Sequence, residues 1–315
     1  GFDAQIITDV ANGEFSLNGD SQLDVVLCEM DLKGFSWTEA SQVLKKMDVQ
    51  VPAIMLSDAF ESQQMMTALR LGASDFFVRP LDSSALLESI SRCVRQRRLR
   101  RELKDSRIKL ENTIKVLEQD QQAGRQAQLA MLPDSPMCFN KYSFEHIVVP
   151  SLYLSGDFTD YFTVGDRYIA FFLADVSGHG SSSAFATVLM KNLFARKRSD
   201  FFRRNDETIR SPGKMLKRAN KELLDLGVDK FATMVVGVID TIKNSLSYSV
   251  AGHLPLPVLI PSGENARFLS GEGPPVGLMS DADFNEQQIS LPDIFTLSIF
   301  SDGILELLPA SDLLS

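Results

Sequence analysis

Three short segments of this chain set an aspartate beside a glycine at or just past an apolar run: S-G-D-F-T-D at Ser155–Asp160, A-D-V-S-G-H-G at Ala174–Gly180 and F-S-D-G at Phe300–Gly303. Carboxylates gathered at strand ends, with glycines letting backbones approach closely, make a hard oxygen-donor site suited to Mg²⁺ or Mn²⁺. A single Asp-Gly turn carries little weight, because such turns are common where nothing binds. Three in one stretch of chain make Asp157, Asp175 and Asp302 the candidate ligands. Asp160 reads either as a support behind them or as an exposed turn carboxylate. His179 sits in a glycine-rich turn and would act as a general acid only if held within hydrogen-bond reach of a substrate; it reads as structural. His253, in A-G-H-L-P, reads as a packing or turn residue.

The composition limits what can surround such a site. The chain has 315 residues, 44% hydrophobic and 23% charged, with 32 basic and 41 acidic side chains for a net charge of −9. That length predicts about two domains, each able to bury its own core. No run approaches the ~18 apolar residues of a membrane helix, and the first residues have no signal-peptide character. The expectation is a cytoplasmic protein without a membrane partner. The acidic balance argues against a mainly nucleic-acid-binding role. Cys28, Cys93 and Cys138 are scattered and odd in number, so they read as reduced small hydrophobes.

The first ninety or so residues alternate short apolar runs with amphipathic stretches, the rhythm of an α/β doubly wound parallel sheet. Strands are expected at Val25–Cys28, Ala53–Leu56 and Phe76–Val78, and helices at Thr38–Met47, Glu61–Leu71 and Ser83–Val94, the last with a serine cap. From Val94 to Leu132 the composition becomes charged and helix-favouring, with Leu103, Leu110 and Leu117 seven residues apart. This predicts a linker helix, either a solvated connector or a short coiled coil pairing two copies. The basic run Arg95, Arg97, Arg98, Arg100 and Arg101 reads as its wet face, with nucleic-acid binding as the minor alternative. Pro133 stops the helix. Beyond it, strands are expected at Ile147–Leu154, Tyr168–Val176, Phe231–Asp240, Ser245–Val250, Val258–Ile260 and Phe295–Phe300, with a hairpin turn at Ile242–Asn244. Helices are expected at Ser182–Phe202 and at Ser211–Leu226, with Ser211 as cap and Pro212 in the first helical position. The cluster Lys191, Arg196, Lys197, Arg198, Arg203 and Arg204 reads as a solvated helix end or as a dock for an acidic partner.

From about Gln119 onward the chain resembles the SpoIIE-type branch of the metal-dependent (type 2C) serine/threonine protein phosphatases. The resemblance runs in order through Q-A-G-R-Q-A-Q-L-A-M-L-P, S-G-D-F-T-D-Y, A-D-V-S-G-H-G-S-S-S-A, A-G-H-L-P-L-P-V-L, P-P-V-G-L and S-D-G-I-L-E. It implies an α-β-β-α sandwich holding two divalent cations, Mg²⁺ or Mn²⁺. Asp157 would hold one, Asp175 would bridge both, the Val176 backbone carbonyl would add a ligand, and Asp302 would hold the other. Two cations would lower the pKa of a bridging water, which attacks the phosphorus of a phosphoserine directly. The family pattern closes with a further aspartate past the S-D-G turn, expected beyond Ser315; Asp312 lies too near Asp302 to take its place.

The amino-terminal part resembles a response-regulator receiver domain, through L-D-V-V-L-C-E-M-D-L-K-G-F-S-W, V-P-A-I-M-L-S-D-A and A-L-R-L-G-A-S-D-F-F-V-R-P. That resemblance implies a flavodoxin-like fold whose phosphoacceptor position falls on Glu29, its switch position on Ser57 and its phosphate-contacting lysine position on Arg79. The first strand and its acidic pair are expected to lie outside this chain. The order of parts resembles that of RssB-like bacterial stress regulators. The expected organisation is therefore a receiver at 1–94, a linker helix at 95–133 and a phosphatase domain at 134–315. The implied function is phosphoserine/phosphothreonine dephosphorylation on a regulatory partner such as an anti-sigma-factor antagonist, with a histidine kinase upstream and a homodimer through the linker. The alternative is a non-catalytic adaptor that binds a sigma factor and targets it for proteolysis.

Overall fold

The computed structural model describes residues 3–4, 23–30, 38, 41, 51–149, 154–178, 180–227 and 229–307. The chain divides into two compact units, Gly1–Lys115 and Val116–Ser315.

In the first unit, β1 (Val26–Glu29), β2 (Ala53–Ser57) and β3 (Asp75–Val78) form a parallel sheet in the order β1-β2-β3. Parallel neighbours need a crossover, and α1 (Ser62–Arg70) supplies it between β2 and β3. Ala68 of α1 packs with Cys28, Met55 and Ala73 in a small core. Burial pushes the Cys28 thiol up to about 11; Cys93 is also buried and Cys138 exposed, all three free. The expected helix at Thr38–Met47 falls almost wholly outside the described residues.

The helices expected at Ser83–Val94 and from Val94 onward are one element, α2 (Ser83–Leu129). No proline interrupts this span. Its glycine, Gly124, has a packing reason: a Cβ there would come within 3.2 Å of the Leu154 side chain. The cap differs from expectation too. The Asp82 carboxylate accepts the N–H groups of Ser84 and Ala85 at 2.9 and 3.3 Å, so Asp82 rather than Ser83 opens the helix. Among the heptad leucines, Leu103 is 71% exposed and Leu110 and Leu117 are 59% and 57%. The basic run is not uniformly wet, because Arg97 is buried.

The second unit is built on a five-stranded antiparallel sheet with the order β12-β9-β8-β7-β6. Its strands are β6 (Asp157–Val164), β7 (Tyr168–Val176), β8 (Ala232–Asp240), β9 (Ser245–Ala251) and β12 (Gln287–Ser290). Alternate residues face opposite ways. Phe158, Phe172, Val236 and their even-numbered neighbours pack under α3 (Ser181–Arg204) and α4 (Pro212–Leu226), where the Phe172 and Phe194 rings stack at 4.0 Å. Each such buried ring contributes about 1.5–3 kcal/mol. Tyr161, Phe171, Val235 and Tyr248 face the other way, toward a second sheet ordered β11-β10-β13: β10 (Val258–Pro261), β11 (Arg267–Phe268) and β13 (Phe295–Ser298). A hairpin of β4 (Met137–Phe139) and β5 (Tyr142–Phe144) joins that core.

Helix α4 has the expected form, with the Ser211 hydroxyl accepting from Lys214 N–H, Pro212 in the first turn and left-handed Gly227 closing it. Two expectations fail. The run Ile147–Leu154 is not a strand where described, and Ile147 is 91% exposed. Conversely, β6 forms where no strand was expected. Its even-numbered face carries Asp160 among Phe158, Phe162 and Val164, and the polar residue masks the alternation.

Candidate functional site

Strand pairing brings the first two aspartates together. In the antiparallel β6-β7 register Asp157 lies directly opposite Asp175, and Asp175 lies opposite Thr233 on β8. The turn before β6 makes this approach possible. Val176 N–H donates to the Gly156 carbonyl at 3.1 Å, and a Cβ at Gly156 would collide with the Val176 carbonyl oxygen. Glycine is therefore required where the two backbones cross. Ser155 is gripped from both sides: Gln128 Nε2 donates to its carbonyl at 2.8 Å, and its N–H donates to Gln128 Oε1 at 3.0 Å. The same Gln128 amide also donates to Thr187 Oγ1 on α3, and the Ser155 hydroxyl accepts from Asp157 N–H. Gln128, at the end of α2, thus holds the start of β6, a role that its place in a helical motif did not reveal.

Asp302 arrives from a different sheet. It follows β13 by four residues and opens a closing 3-10 turn, Asp302–Leu307. Ser301 Oγ donates to Asp157 Oδ2 at 2.8 Å, tying this turn to β6. Burial pushes the Asp175 carboxyl up to about 7, reinforced by the charges of Asp157 and Asp302 and by a hydrogen bond from Asp175 to Asp157. Two paired carboxylates, with the Asp302 charge near enough to act on Asp175, thus lie at strand ends, an arrangement in which a proton or a cation relieves the repulsion. Carboxylates and a backbone carbonyl are the donor set of Mg²⁺ or Mn²⁺ rather than of a softer metal. In the present arrangement no three described His, Cys, Asp or Glu side chains already surround a common point. Asp157 and Asp175 instead lean on one another.

The glycine-rich turn after β7 is pinned by its serine. Ser177 N–H donates to the Phe231 carbonyl, Phe231 N–H to Ser177 Oγ, and Lys230 Nζ to the Ser177 carbonyl at 2.8 Å. Gly178 and Gly180 have φ of +77° and +86°, which a side chain would strain. His179 lies outside the described residues, as does Asp312.

The remaining expectations resolve differently. Asp160 points away from Asp157, as its opposite parity on β6 requires, and neither supports Asp157 nor is exposed. It is 9% exposed and ion-paired with Lys191 at 3.1 Å. Burial raises its proton affinity, and Lys191 opposes that shift. His253 is 1% exposed; its Nδ1 meets Thr233 Oγ1 at 3.1 Å and its Nε2 meets the Phe300 carbonyl at 2.8 Å. Burial holds its proton affinity below the ordinary imidazole value. Most of the cationic cluster on α3 is internally paired: Arg196 with Glu222, Lys197 with Asp200 and Asp206.

In the first unit, the carboxyl ends of β1 and β2 bring Glu29 and Ser57 close to the residue that follows β3. Arg79 spans Glu29 with two hydrogen bonds, Nη2 to Oε2 at 2.6 Å and Nη1 to Oε1 at 3.2 Å, and reaches Asp58 at 2.7 Å. Those hydrogen bonds, to Asp58 first and then Glu29, raise the guanidinium's proton affinity. Ser57 Oγ donates to the Ala59 carbonyl.

Comparison with known proteins bears on the second unit. Residues 165–314 match the family model Stage II sporulation protein E (SpoIIE), a span that includes Asp175 and Asp302 and begins after Asp157. The chain is 29% identical over 204 residues to Protein IcfG of Synechocystis sp., covering 58% of this chain and 32% of that protein. It is 27% identical over 158 residues to Phosphoserine phosphatase RsbP of Bacillus subtilis, covering 49% of this chain and 37% of that one. The matches thus span about a third of the length of these curated relatives. Among solved structures, the SiaA-PP2C domain of Pseudomonas aeruginosa aligns with a TM-score of 0.48 at 18% identity, covering 61% of this chain and 74% of that one. Over residues 165–314 the second unit is thus similar to the SpoIIE family.

Proposed function

We propose that this protein is a Mg²⁺- or Mn²⁺-dependent phosphatase acting on phosphoserine or phosphothreonine of a regulatory partner protein. The observation that carries the reading is the pairing of Asp157 with Asp175, with the turn that bears Asp302 tied to Asp157 through Ser301, in a unit similar to the SpoIIE family. Two divalent cations, when bound, would supply an ionised water and neutralise charge building on the phosphoryl oxygens. Asp175 would be shared between them, Asp157 and Asp302 would each serve one, and the Val176 carbonyl would complete the set. The chain's own contribution is rigidity. Gln128 and Ser155 hold the start of β6, Gly156 lets Val176 approach, and Ser301 keeps the Asp302 turn against Asp157.

The first unit fits a receiver-like module, a reading supported by its parallel β1-β2-β3 sheet and by Glu29, Ser57 and Arg79 gathered at one edge. Both Glu29 carboxylate oxygens are engaged by Arg79, so it serves here as a charge-balanced module that does not take up phosphate. Its link to output would run through α2, as in the RssB-like stress regulators. The partner class is an anti-sigma-factor antagonist, in keeping with the phosphoserine phosphatase RsbP among its relatives. Among the described residues no helix is long and apolar enough to cross a membrane.

The test is hydrolysis of p-nitrophenyl phosphate and of phosphoserine peptides with and without Mn²⁺. Activity that requires Mn²⁺ and disappears in Asp175→Ala supports the reading. An intact protein with no activity on either substrate favours the sigma-factor adaptor instead.

A further inference from the structure

Asp302 poses a positioning problem that Asp157 and Asp175 do not share. Those two are fixed by direct pairing within the five-stranded sheet, whereas Asp302 follows β13, which belongs to the second sheet. Some contact must hold the end of one sheet against the other. The described hydrogen bonds supply two such ties. One is Ser301 Oγ to Asp157. The other is His253, two residues past β9, whose ring lies between Thr233 of β8 and the Phe300 carbonyl, two residues before Asp302.

The chemistry of this second tie is specific. A carbonyl oxygen can only accept, so Nε2 carries the proton and donates to Phe300, which leaves Nδ1 to accept from the Thr233 hydroxyl. One neutral tautomer satisfies both contacts. Thr233 is itself the β8 partner of Asp175, so the imidazole connects the register position of one acidic residue with the turn that carries another. A side chain that merely filled space would need neither contact, yet this one is 1% exposed with both ring nitrogens bonded.

We propose that His253 is a positioning residue: through the Phe300 carbonyl it sets where the Asp302 turn meets Asp157 and Asp175. This rests on the metal-dependent reading above. Outer partners that orient ligands change metal affinity about 10–100-fold when lost. His253→Leu keeps bulk and removes both hydrogen bonds; His253→Gln keeps a donor able to reach the Phe300 carbonyl; Thr233→Val removes only the hydroxyl.

The experiment is a calorimetric Mn²⁺ titration of the full 315-residue chain and its variants, alongside kcat and KM for p-nitrophenyl phosphate and the melting temperature of the metal-free proteins. The expected result is Mn²⁺ affinity about tenfold or more weaker in His253→Leu. His253→Gln stays near wild type, Thr233→Val falls between, and the losses lie in metal affinity and kcat rather than KM. A lower melting temperature in His253→Leu with unchanged Mn²⁺ affinity would overturn the inference, as would a His253→Gln variant as impaired as His253→Leu. If the wild-type chain binds no Mn²⁺, the metal reading fails first, and the inference fails with it.

Discussion

Two places in this chain gather carboxylates at strand ends, and they treat the resulting charge in opposite ways. At Glu29 the fold supplies its own cation: Arg79 spans the carboxylate and also reaches Asp58. At Asp157 and Asp175 two acids lie against one another, with Asp175 pushed up to about 7 by burial and by the charges of Asp157 and Asp302. The two places differ in fold, a parallel sheet in one and an antiparallel sheet in the other, and also in charge balance: the first is an ion pair, whereas in the second acids neighbour one another.

The sharpest way to break this contrast is to remove one acid from each place. Asp175→Asn is expected to lower Mn²⁺-supported kcat about a thousandfold, roughly 4 kcal/mol of transition-state stabilisation. The same change should raise the melting temperature of the metal-free protein at pH 8, because it relieves repulsion. Glu29→Gln should do the reverse, lowering the stability of the first unit slightly by leaving Arg79 with Asp58 as its carboxylate partner; thermal unfolding of both variants reads the opposite signs.

Next in size is Gln128→Ala, which strips the Ser155 carbonyl and N–H of their partner. It should cost about 1–3 kcal/mol and reduce kcat without touching a ligand, as denaturant unfolding and steady-state kinetics would register. A third probe concerns the first site alone. With both Glu29 oxygens engaged by Arg79, incubation with acetyl phosphate should leave the intact mass unchanged, and a stoichiometric phosphoryl adduct would refute the self-satisfied reading.

The smallest effect lies at an ion pair outside both sites. Arg167 grips Asp240 at 2.9 and 2.6 Å and holds its carboxyl down to about 2. A depressed folded value means that this stabilisation is full above the ordinary carboxylate range and is lost as pH falls toward 2. Asp240→Asn should therefore flatten the acid limb of a stability-versus-pH curve between about pH 4 and 2.

Much of the second unit was legible because its strands are locally consistent. Tyr168–Val176 and Ala232–Asp240 are apolar enough to read as buried, and Ser211-Pro212 announces a helix start. What escaped depended on partners far along the chain. Asp160 looks polar until Lys191, 31 residues on, pairs with it, so β6 was hidden although two of the three aspartate motifs flank its pairing with β7. His253 has its partners 20 residues before and 47 residues after it, and no local pattern announces either. The continuity of α2 was missed for the opposite reason, since a change in composition at Val94 suggested a boundary where the backbone has none.

The central claim, that the three aspartates form a cation site which drives phosphoester hydrolysis, is tested most directly by titrating the full chain with Mn²⁺ while following p-nitrophenyl phosphate turnover. The predicted result is saturable Mn²⁺ binding whose occupancy tracks turnover in wild type, with both lost in Asp175→Asn. Turnover that persists in excess EDTA, or Mn²⁺ binding unchanged in Asp175→Asn, would contradict it.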